Sequence, residues 1–195
     1  MFNSATQYFS QSSAITILVL LILSIYFIIT FWVFIDRFKL LHKRIAIETD
    51  SLKAIYMGVS RSVSKSSLLN AYLSKVDNPN SIILEAAASD AVRIATRNLT
   101  LLSIIASTSP FIGLFGTVIG ILETFSKLGN QSSAALNIVA PAISEALVAT
   151  AAGILVAIFA YSFHLILKRK AYELSSLLTS QSKMMLAQID DNLGD

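Results

Sequence analysis

The sequence predicts an all-α membrane protein that has three transmembrane helices with long cytoplasmic helical extensions. Three long apolar runs and the composition support this prediction, because 54% of the 195 residues are hydrophobic and only 14% are charged. Soluble domains contain about 45–50% apolar and about 25% charged residues. The chain has no Cys and two His, which argues against disulfides, thiolate metal centres, cysteine nucleophiles and a histidine metal site. We therefore predict neither a metal nor a cofactor.

The three apolar runs differ in composition, which indicates different surroundings. Residues 14–35 carry no charge and are long enough to cross the ~30 Å of hydrocarbon. No Lys or Arg precedes them, so the basic start of a signal peptide is missing, and we interpret them as a membrane anchor. Residues 99–122 and 138–167 contain Gly, Pro, Ser and Thr, which a helix exposed only to lipid does not need. We predict that these two helices face protein, and that the third tilts or projects into water because of its length.

The distribution of Lys and Arg predicts the orientation. None precedes residue 36, ten lie in residues 36–98, one lies between the second and third runs, and four follow residue 167. The positive-inside rule then places the N-terminus outside and the C-terminus in the cytoplasm. This orientation explains the net charge of +3, so no nucleic-acid partner is predicted. The segments outside the spans are a short periplasmic N-terminus (1–13), a cytoplasmic helical region (36–98), a periplasmic loop (123–137) and a cytoplasmic C-terminal helix (168–195).

Both cytoplasmic segments show stripes of apolar residues at helical spacing, which are Leu40, Leu41, Ile45, Ile47, Leu52 and Ile55 in the first and Leu174, Leu177, Leu178, Met185 and Ile189 in the second. In residues 36–98 a turn signal at Pro79 ends one helix, and Ser81 caps the next, with Glu85 shortly after it. We predict that this helix runs into the second span without a break. Packing against other copies of the same chain explains the apolar stripes better than a different partner does, which predicts a homo-oligomer.

Glu145 is the most informative residue, because it lies inside the third apolar run. An ionised carboxylate that faces lipid is costly, so Glu145 must face a cavity, find a partner or be protonated. A group in that position can exchange protons. The alternative is a structural carboxylate near the start of a helix, where Pro141 suits the first turn and an acid is favourable. We favour the functional interpretation.

Two threonines and a set of small residues accompany this carboxylate. Thr117 lies in the middle of the second span, and Thr150 follows Glu145 by five residues. A buried Thr usually bonds its own helix backbone, so that interpretation and a share in a proton pathway both stay open. Small residues let helices approach closely, and prolines mark helix starts and kinks. The residues that we assign to helix packing are Pro110, Gly113, Gly116, Gly120, Pro141, Ala146 and Gly153.

Two motifs resemble those of the ExbB/TolQ family, which is part of the MotA/TolQ/ExbB proton channel superfamily. Ser109–Gly120 looks like the family's second-helix signature, and Val139–Gly153 looks like its third-helix signature. Their order, orientation and external connection also agree, and the resemblance covers residues 99–167. It implies a proton-channel and motor subunit of an ExbB–ExbD or TolQ–TolR type complex in the bacterial inner membrane.

The resemblance also implies an assembly and a task. Members of this family form a ring, described as a pentamer, around the transmembrane helices of a single-span ExbD-like or TolR-like partner. Proton flow through the complex drives work at the outer membrane, with a TonB-like or TolA-like protein as a further partner. The family's acidic residue corresponds to Glu145, and its hydroxyl companions correspond to Thr117 and Thr150. TonB-dependent uptake and Tol-Pal envelope maintenance both stay open.

The third helix departs from the family pattern at two positions. Phe159 stands where the family usually has Pro, and His164 stands where it usually has Asn. We therefore expect the inner half of this helix to be straighter. His164, His42 and Glu123 are interpreted as structural residues, because neither histidine has a second ligand at helical spacing and an acid at a membrane interface is common.

Three other functions fit the sequence less well. A passive oligomeric scaffold that stabilises a single-span partner is the main alternative. A solute carrier would need inverted repeats and broken helix pairs, which the sequence does not show. An enzyme is disfavoured because the sequence shows no nucleophile–base pair or metal constellation. The related flagellar stator proteins have four spans rather than three.

Overall fold

The computed structural model describes residues 14–58, 64–74, 81–128 and 135–193. Within these ranges the regular elements are α-helices, which we number α1 (Ala14–Tyr56), α2 (Leu68–Leu73), α3 (Ser81–Ala95), α4 (Leu99–Leu128) and α5 (Ala135–Leu193). The all-α prediction is confirmed for this part of the chain. Three predicted features lie wholly or partly outside the described residues, namely the N-terminal segment 1–13, the turn at Pro79 and the loop 123–137.

Three of the described helices are long and apolar enough to cross a membrane, as predicted. The candidate spans are Ile15–Tyr56, Leu99–Ser126 and Val139–Ala187. In their most apolar windows only 22%, 33% and 28% of the residues, respectively, are buried inside the chain. The remaining apolar side chains, such as Trp32 and Phe111, are exposed on a single chain and contact lipid or other protein in a membrane.

The chain forms two compact units. Among the described residues, the first combines 14–33 with 100–128 and 135–163, and the second combines 34–58, 64–74 and 81–99 with 164–193. The core of the first unit takes side chains from α1, α4 and α5. They are Val19, Leu23, Ile105, Ala149, Val156 and Ala160. Because α5 contributes small residues to this core, the neighbouring helices approach its backbone closely.

Phe159 belongs to an aromatic cluster in the first unit. Its ring centroid lies 5.8 Å from that of Phe27, 5.5 Å from that of Phe31 and 6.0 Å from that of Phe163. Phe31 also meets Phe163 edge-on at 5.1 Å. Tilted and edge-to-face arrangements are favoured by aromatic pairs. The side chain that departs from the family pattern therefore packs α5 against α1.

The second unit has a leucine-rich core. Its fully buried apolar side chains include Leu41 of α1, Leu69 of α2, Leu84 of α3, and Leu167, Leu174 and Leu178 of α5. Leu41, Leu174 and Leu178 belong to the apolar stripes for which the sequence predicts packing against other copies of the chain. That prediction is wrong for these three positions, because helices of the same chain already cover them. The stripes carry the core of this unit instead.

A buried polar network crosses the core of the second unit. Glu48 is fully buried, and its Oε1 accepts a hydrogen bond from the amide of Leu68 at 2.7 Å. Its Oε2 accepts bonds from the hydroxyl of Ser67 (2.7 Å) and from Nε2 of Gln181 (3.1 Å). The network ties α1 to the start of α2 and to α5. The sequence does carry a signal for it, because Glu48 follows the buried Ile45 by three residues on one helical stripe.

The helix that begins at Ser81 does not continue into α4, which corrects the sequence prediction. It ends at Ala95, and residues 96–98 form a turn in which Asn98 has a φ of 75°. The amide of Leu99 donates to the carbonyl of Thr96 at 3.1 Å and closes this turn. Asn is one of the few residues that adopt the left-handed conformation routinely. The apolar pattern runs across the turn, so periodicity by itself does not show that one helix ends there.

Candidate functional site

The two candidate threonines lie on α4 and α5, whose backbones are in contact through two glycines. A Cβ atom added to Gly113 would lie 2.7 Å from the carbonyl oxygen of Ala149. A Cβ atom added to Gly153 would lie 2.5 Å from the carbonyl oxygen of Ser109. Both distances are too short for real carbon–oxygen contacts, and the atoms in the way are backbone atoms. The close approach of α4 and α5 therefore depends on glycine at both positions.

The other two glycines of α4 face different neighbours. A Cβ atom on Gly116 would lie 2.9 Å from Cγ1 of Val19 on α1. One on Gly120 would lie 3.2 Å from the Cβ of Ala146, which is itself buried on α5. The glycines of the second-helix motif therefore allow α4 to contact both α1 and α5. The sequence predicts helix packing for all of these glycines but does not show which of them faces α1 and which faces α5.

Thr117 and Thr150 meet at this helix contact. Their hydroxyl groups are within hydrogen-bond distance of each other across α4 and α5. The Thr117 hydroxyl also reaches two carbonyl oxygens, that of Ala146 at 3.0 Å and that of Gly113 at 3.2 Å. The Thr150 hydroxyl reaches the same Gly113 oxygen at 3.4 Å. Thr117 is 8% exposed, so the pair lies in a protected environment.

The two hydroxyl protons of this pair can be arranged in two ways. Each hydroxyl donates one hydrogen bond and can accept two. In the first arrangement Thr150 donates to Thr117, and Thr117 donates to the carbonyl of Ala146. In the second, Thr117 donates to Thr150, and Thr150 donates to the carbonyl of Gly113. The two hydroxyls therefore form a short hydrogen-bonded chain in which the direction of donation can reverse.

Glu145 lies away from this pair. Its Oε1 is buried and has no hydrogen-bond partner among the described residues. Because α5 begins at Ala135 and continues through Pro141, Glu145 is not in the first turn of a helix, contrary to the structural alternative. Five residues separate it from Thr150, which corresponds to about 140° around the helix and about 7.5 Å along it. The structure brings the two threonines together and leaves the carboxylate on another face of α5.

Ser144 and the two histidines have local partners. Ser144 donates to a carbonyl of its own helix at 3.0 Å. Nδ1 of His164 lies 3.1 Å from the carbonyl oxygen of Leu99, and the ring of His42 stacks on a neighbouring aromatic ring. Among the described residues, no three of His, Cys, Asp or Glu form a group that could hold a metal ion.

Sequence reasoning missed Ser109. This residue of α4 is fully buried, and its hydroxyl has no hydrogen-bond partner among the described residues. The hydroxyls of the adjacent Ser107 and Thr108, by contrast, both donate to the carbonyl of Ile104. The sequence distinguishes Ser109 only by its place directly before Pro110, which does not by itself show that the hydroxyl lacks a partner.

The sequence model of the MotA/TolQ/ExbB proton channel family matches residues 59–180. The chain belongs to this family. A relative in Helicobacter pylori (strain J99 / ATCC 700824), named biopolymer transport protein ExbB-like 1, is 42% identical over 181 residues. That alignment covers 93% of this chain and 96% of the relative. The resemblance seen in the two sequence motifs is thereby confirmed.

Shorter matches connect this MotA/TolQ/ExbB family member to both named branches. The Tol-Pal system protein TolQ of Haemophilus influenzae is 54% identical over 57 residues, 29% of this chain and 25% of that protein. The biopolymer transport protein ExbB of Neisseria gonorrhoeae is 50% identical over 68 residues, 33% of this chain and 31% of that protein. The two branches match similarly short stretches, so identity does not separate them.

Proposed function

We propose that this chain is the proton-conducting subunit of an inner-membrane complex of the ExbB–ExbD or TolQ–TolR type, which couples the proton motive force to work at the outer membrane. The observation that supports the proposal most directly is the buried, unpartnered Oε1 of Glu145 in a helix that can cross a membrane. An unpaired carboxylate is costly in the hydrocarbon region. The free-energy cost of placing Glu145 there is explained if this residue binds and releases protons or pairs with another chain.

The proposed assembly is a homo-oligomeric ring, a pentamer by analogy with the family, around the transmembrane helix of an ExbD-like or TolR-like partner. A TonB-like or TolA-like protein would receive the work. The N-terminus lies in the periplasm and the C-terminus in the cytoplasm, which is supported by the ten Lys and Arg of residues 36–98. Leu147 and Val148, which follow Glu145 closely, are 56% and 45% exposed on the single chain. That exposed apolar surface near the carboxylate is available to another helix or to lipid.

In the proposed mechanism Glu145 takes up a proton and the Thr117–Thr150 pair moves one between α4 and α5. A hydronium ion donates a proton to one hydroxyl as the other hydroxyl releases its own proton to a water molecule, and the two hydroxyls then rotate back to accept the next proton. The driving force is the membrane potential, which is worth about 2.3 kcal/mol per elementary charge per 100 mV. The partner helix carries a carboxylate in this mechanism, so protonation of Glu145 removes the repulsion between two like charges and its deprotonation restores that repulsion, which lets the partner move from one subunit to the next.

A passive scaffold that only stabilises a single-span partner is the alternative function. The backbone contact at Gly113 and Gly153 serves a scaffold as well as a motor. The buried, unpartnered Oε1 of Glu145 distinguishes the two functions, because a scaffold does not need a costly acid in its membrane region.

The test is a chromosomal Glu145→Gln variant, scored for siderophore-dependent growth and for leakage of periplasmic protein. The control is Glu173→Gln, the same change at an exposed position of the same helix. Loss of iron uptake with a sealed envelope indicates the ExbB role, and leakage with normal uptake indicates the TolQ role. If Glu145→Gln is present at normal level and has neither defect, the motor proposal is wrong and the scaffold is favoured.

A further inference from the structure

A buried hydroxyl in the first unit has no role in the site described so far. Ser109 is fully buried on α4, and its Oγ has no hydrogen-bond partner among the described residues. Serine hydroxyls in helices usually donate to the carbonyl three or four residues earlier. Ser107, two residues away on the same helix, does this with Ile104 at 3.0 Å. A buried polar group without a partner is rare and is normally satisfied by an ordered water molecule when no protein group is near.

A second polar group in the same turn of α4 lacks its usual intrahelical partner. Pro110 is inside this helix and has no amide hydrogen, so the carbonyl of Ala106 loses its usual intrahelical donor. In membrane helices such carbonyls are satisfied again by side chains or by ordered water. The Ser109 hydroxyl and the Ala106 carbonyl are therefore two polar groups, three residues apart, that both lack a usual partner.

Along α4, this turn lies between the threonine pair and an open cleft. Ser109 precedes Gly113 by four residues, about 6 Å along the helix, and the carbonyl of Gly113 is the one that both Thr117 and Thr150 reach. About one turn before Ser109, toward the start of α4, helices α4 and α5 border an open cleft of about 420 Å³. The cleft is lined by Ser103, Ala106, Ser107, Ala157, Ile158 and Tyr161.

We propose that water molecules bind to the Ser109 hydroxyl and the Ala106 carbonyl at the Pro110 position, and that this hydrated site carries protons between the Thr117–Thr150 pair and the cleft. Ser109 is then a positioning residue that holds water in the route. A buried water molecule makes about three hydrogen bonds to polar groups, and this turn of α4 supplies two of them. The proposal rests on the proposed proton-conducting function, and it adds a segment of the route on the side of the pair toward the start of α4.

The hydration test uses the absence of cysteine from the chain. Ser109→Cys introduces a single thiol, which is treated in the membrane-embedded complex with the small water-soluble reagent methanethiosulfonate ethylammonium. The control is Leu102→Cys, a fully buried position of the same helix that has an apolar side chain. A thiol reacts as its thiolate, which forms where water is present. We expect Ser109→Cys to react and Leu102→Cys to stay unmodified until the complex is denatured.

The transport test uses Ser109→Ala in liposomes that contain the complex. Because the hydroxyl has no protein partner, its removal leaves the melting temperature unchanged or raises it, whereas proton flux falls about tenfold or more. Thr108→Val, which removes a hydroxyl that already donates to Ile104, keeps normal flux. Absence of labelling at Ser109→Cys overturns the proposal, and so does normal flux in Ser109→Ala.

The two proposals fail in different ways. If Glu145→Gln keeps full flux, the proton-conducting function is wrong, but labelling of Ser109→Cys still shows whether this turn of α4 is hydrated. If Glu145→Gln loses flux and Ser109→Ala does not, the function holds and only the Ser109 segment of the route is wrong.

Discussion

Thr117 and Thr124 provide a matched pair for testing the hydroxyl chain. Both threonines lie on α4, they are 8% and 7% exposed, and both hydroxyls are within hydrogen-bond distance of the carbonyl oxygen four residues earlier. Only Thr117 also reaches α5, through the hydroxyl of Thr150 and the carbonyl of Ala146. Valine has nearly the shape of threonine without the hydroxyl, so Thr117→Val and Thr124→Val make the same chemical change in different surroundings.

The structure gives different magnitudes for the two substitutions. Thr117→Val removes contacts between helices, and a side-chain hydrogen bond between membrane helices is worth about 0.6 kcal/mol on average and about 1.7 kcal/mol at most. The free energy of unfolding is therefore expected to fall by about 1 kcal/mol. Thr124→Val removes only a bond to its own helix, and its expected effect on stability is near zero. Proton flux is expected to fall on the order of 100-fold in Thr117→Val, because a group that transfers protons is lost.

The assay is proton uptake into liposomes that contain the complex, with the melting temperature measured on the same sample. Thr117→Ser keeps the hydroxyl and is expected to restore flux. Equal flux in Thr117→Val and Thr124→Val would refute the hydroxyl chain. A flux loss in Thr117→Val that Thr117→Ser does not restore would show that the methyl group, and not the hydroxyl, is required.

Three further substitutions test the packing described above, each by the melting temperature of the purified protein. Gly153→Ala places a Cβ atom against a backbone oxygen and is expected to cost about 1–3 kcal/mol, and an unchanged melting temperature would contradict the close helix contact. Glu48→Gln replaces one carboxylate oxygen, which accepts from buried donors, by an NH₂ group that cannot accept. The substitution should cost about 1–3 kcal/mol, and a melting temperature that is unchanged or higher would contradict this expectation. Phe159→Ala removes three ring contacts of about 0.5–1.5 kcal/mol each and should cost about 1.5–4.5 kcal/mol, whereas an unchanged melting temperature would show that the cluster contributes nothing.

The sequence by itself determined the class of the protein, its number of candidate spans and its family. Hydropathy is a property of about 20 neighbouring residues, so no knowledge of packing is needed to find an apolar run. The family motifs are likewise continuous stretches, Ser109–Gly120 and Val139–Gly153. Glu145 was visible for the same reason, since an acid among apolar residues is conspicuous in the chain itself. The sequence also identified Gly113 and Gly153 as packing residues, without showing that they face each other.

Only the tertiary structure decided which polar groups have partners. Thr117 and Thr150 are 33 residues apart in the chain and meet because α4 and α5 pack through glycine. The Ser109 hydroxyl has no partner among the described residues although those of Ser107 and Thr108 have one, and beyond the end of α3 at Ala95 apolar residues continue at helical spacing. Hydrogen-bond satisfaction depends on atoms brought together from distant parts of the chain. Local composition predicts that a polar group lies in the membrane region, whereas the atoms that surround it in the folded chain determine whether it is bonded.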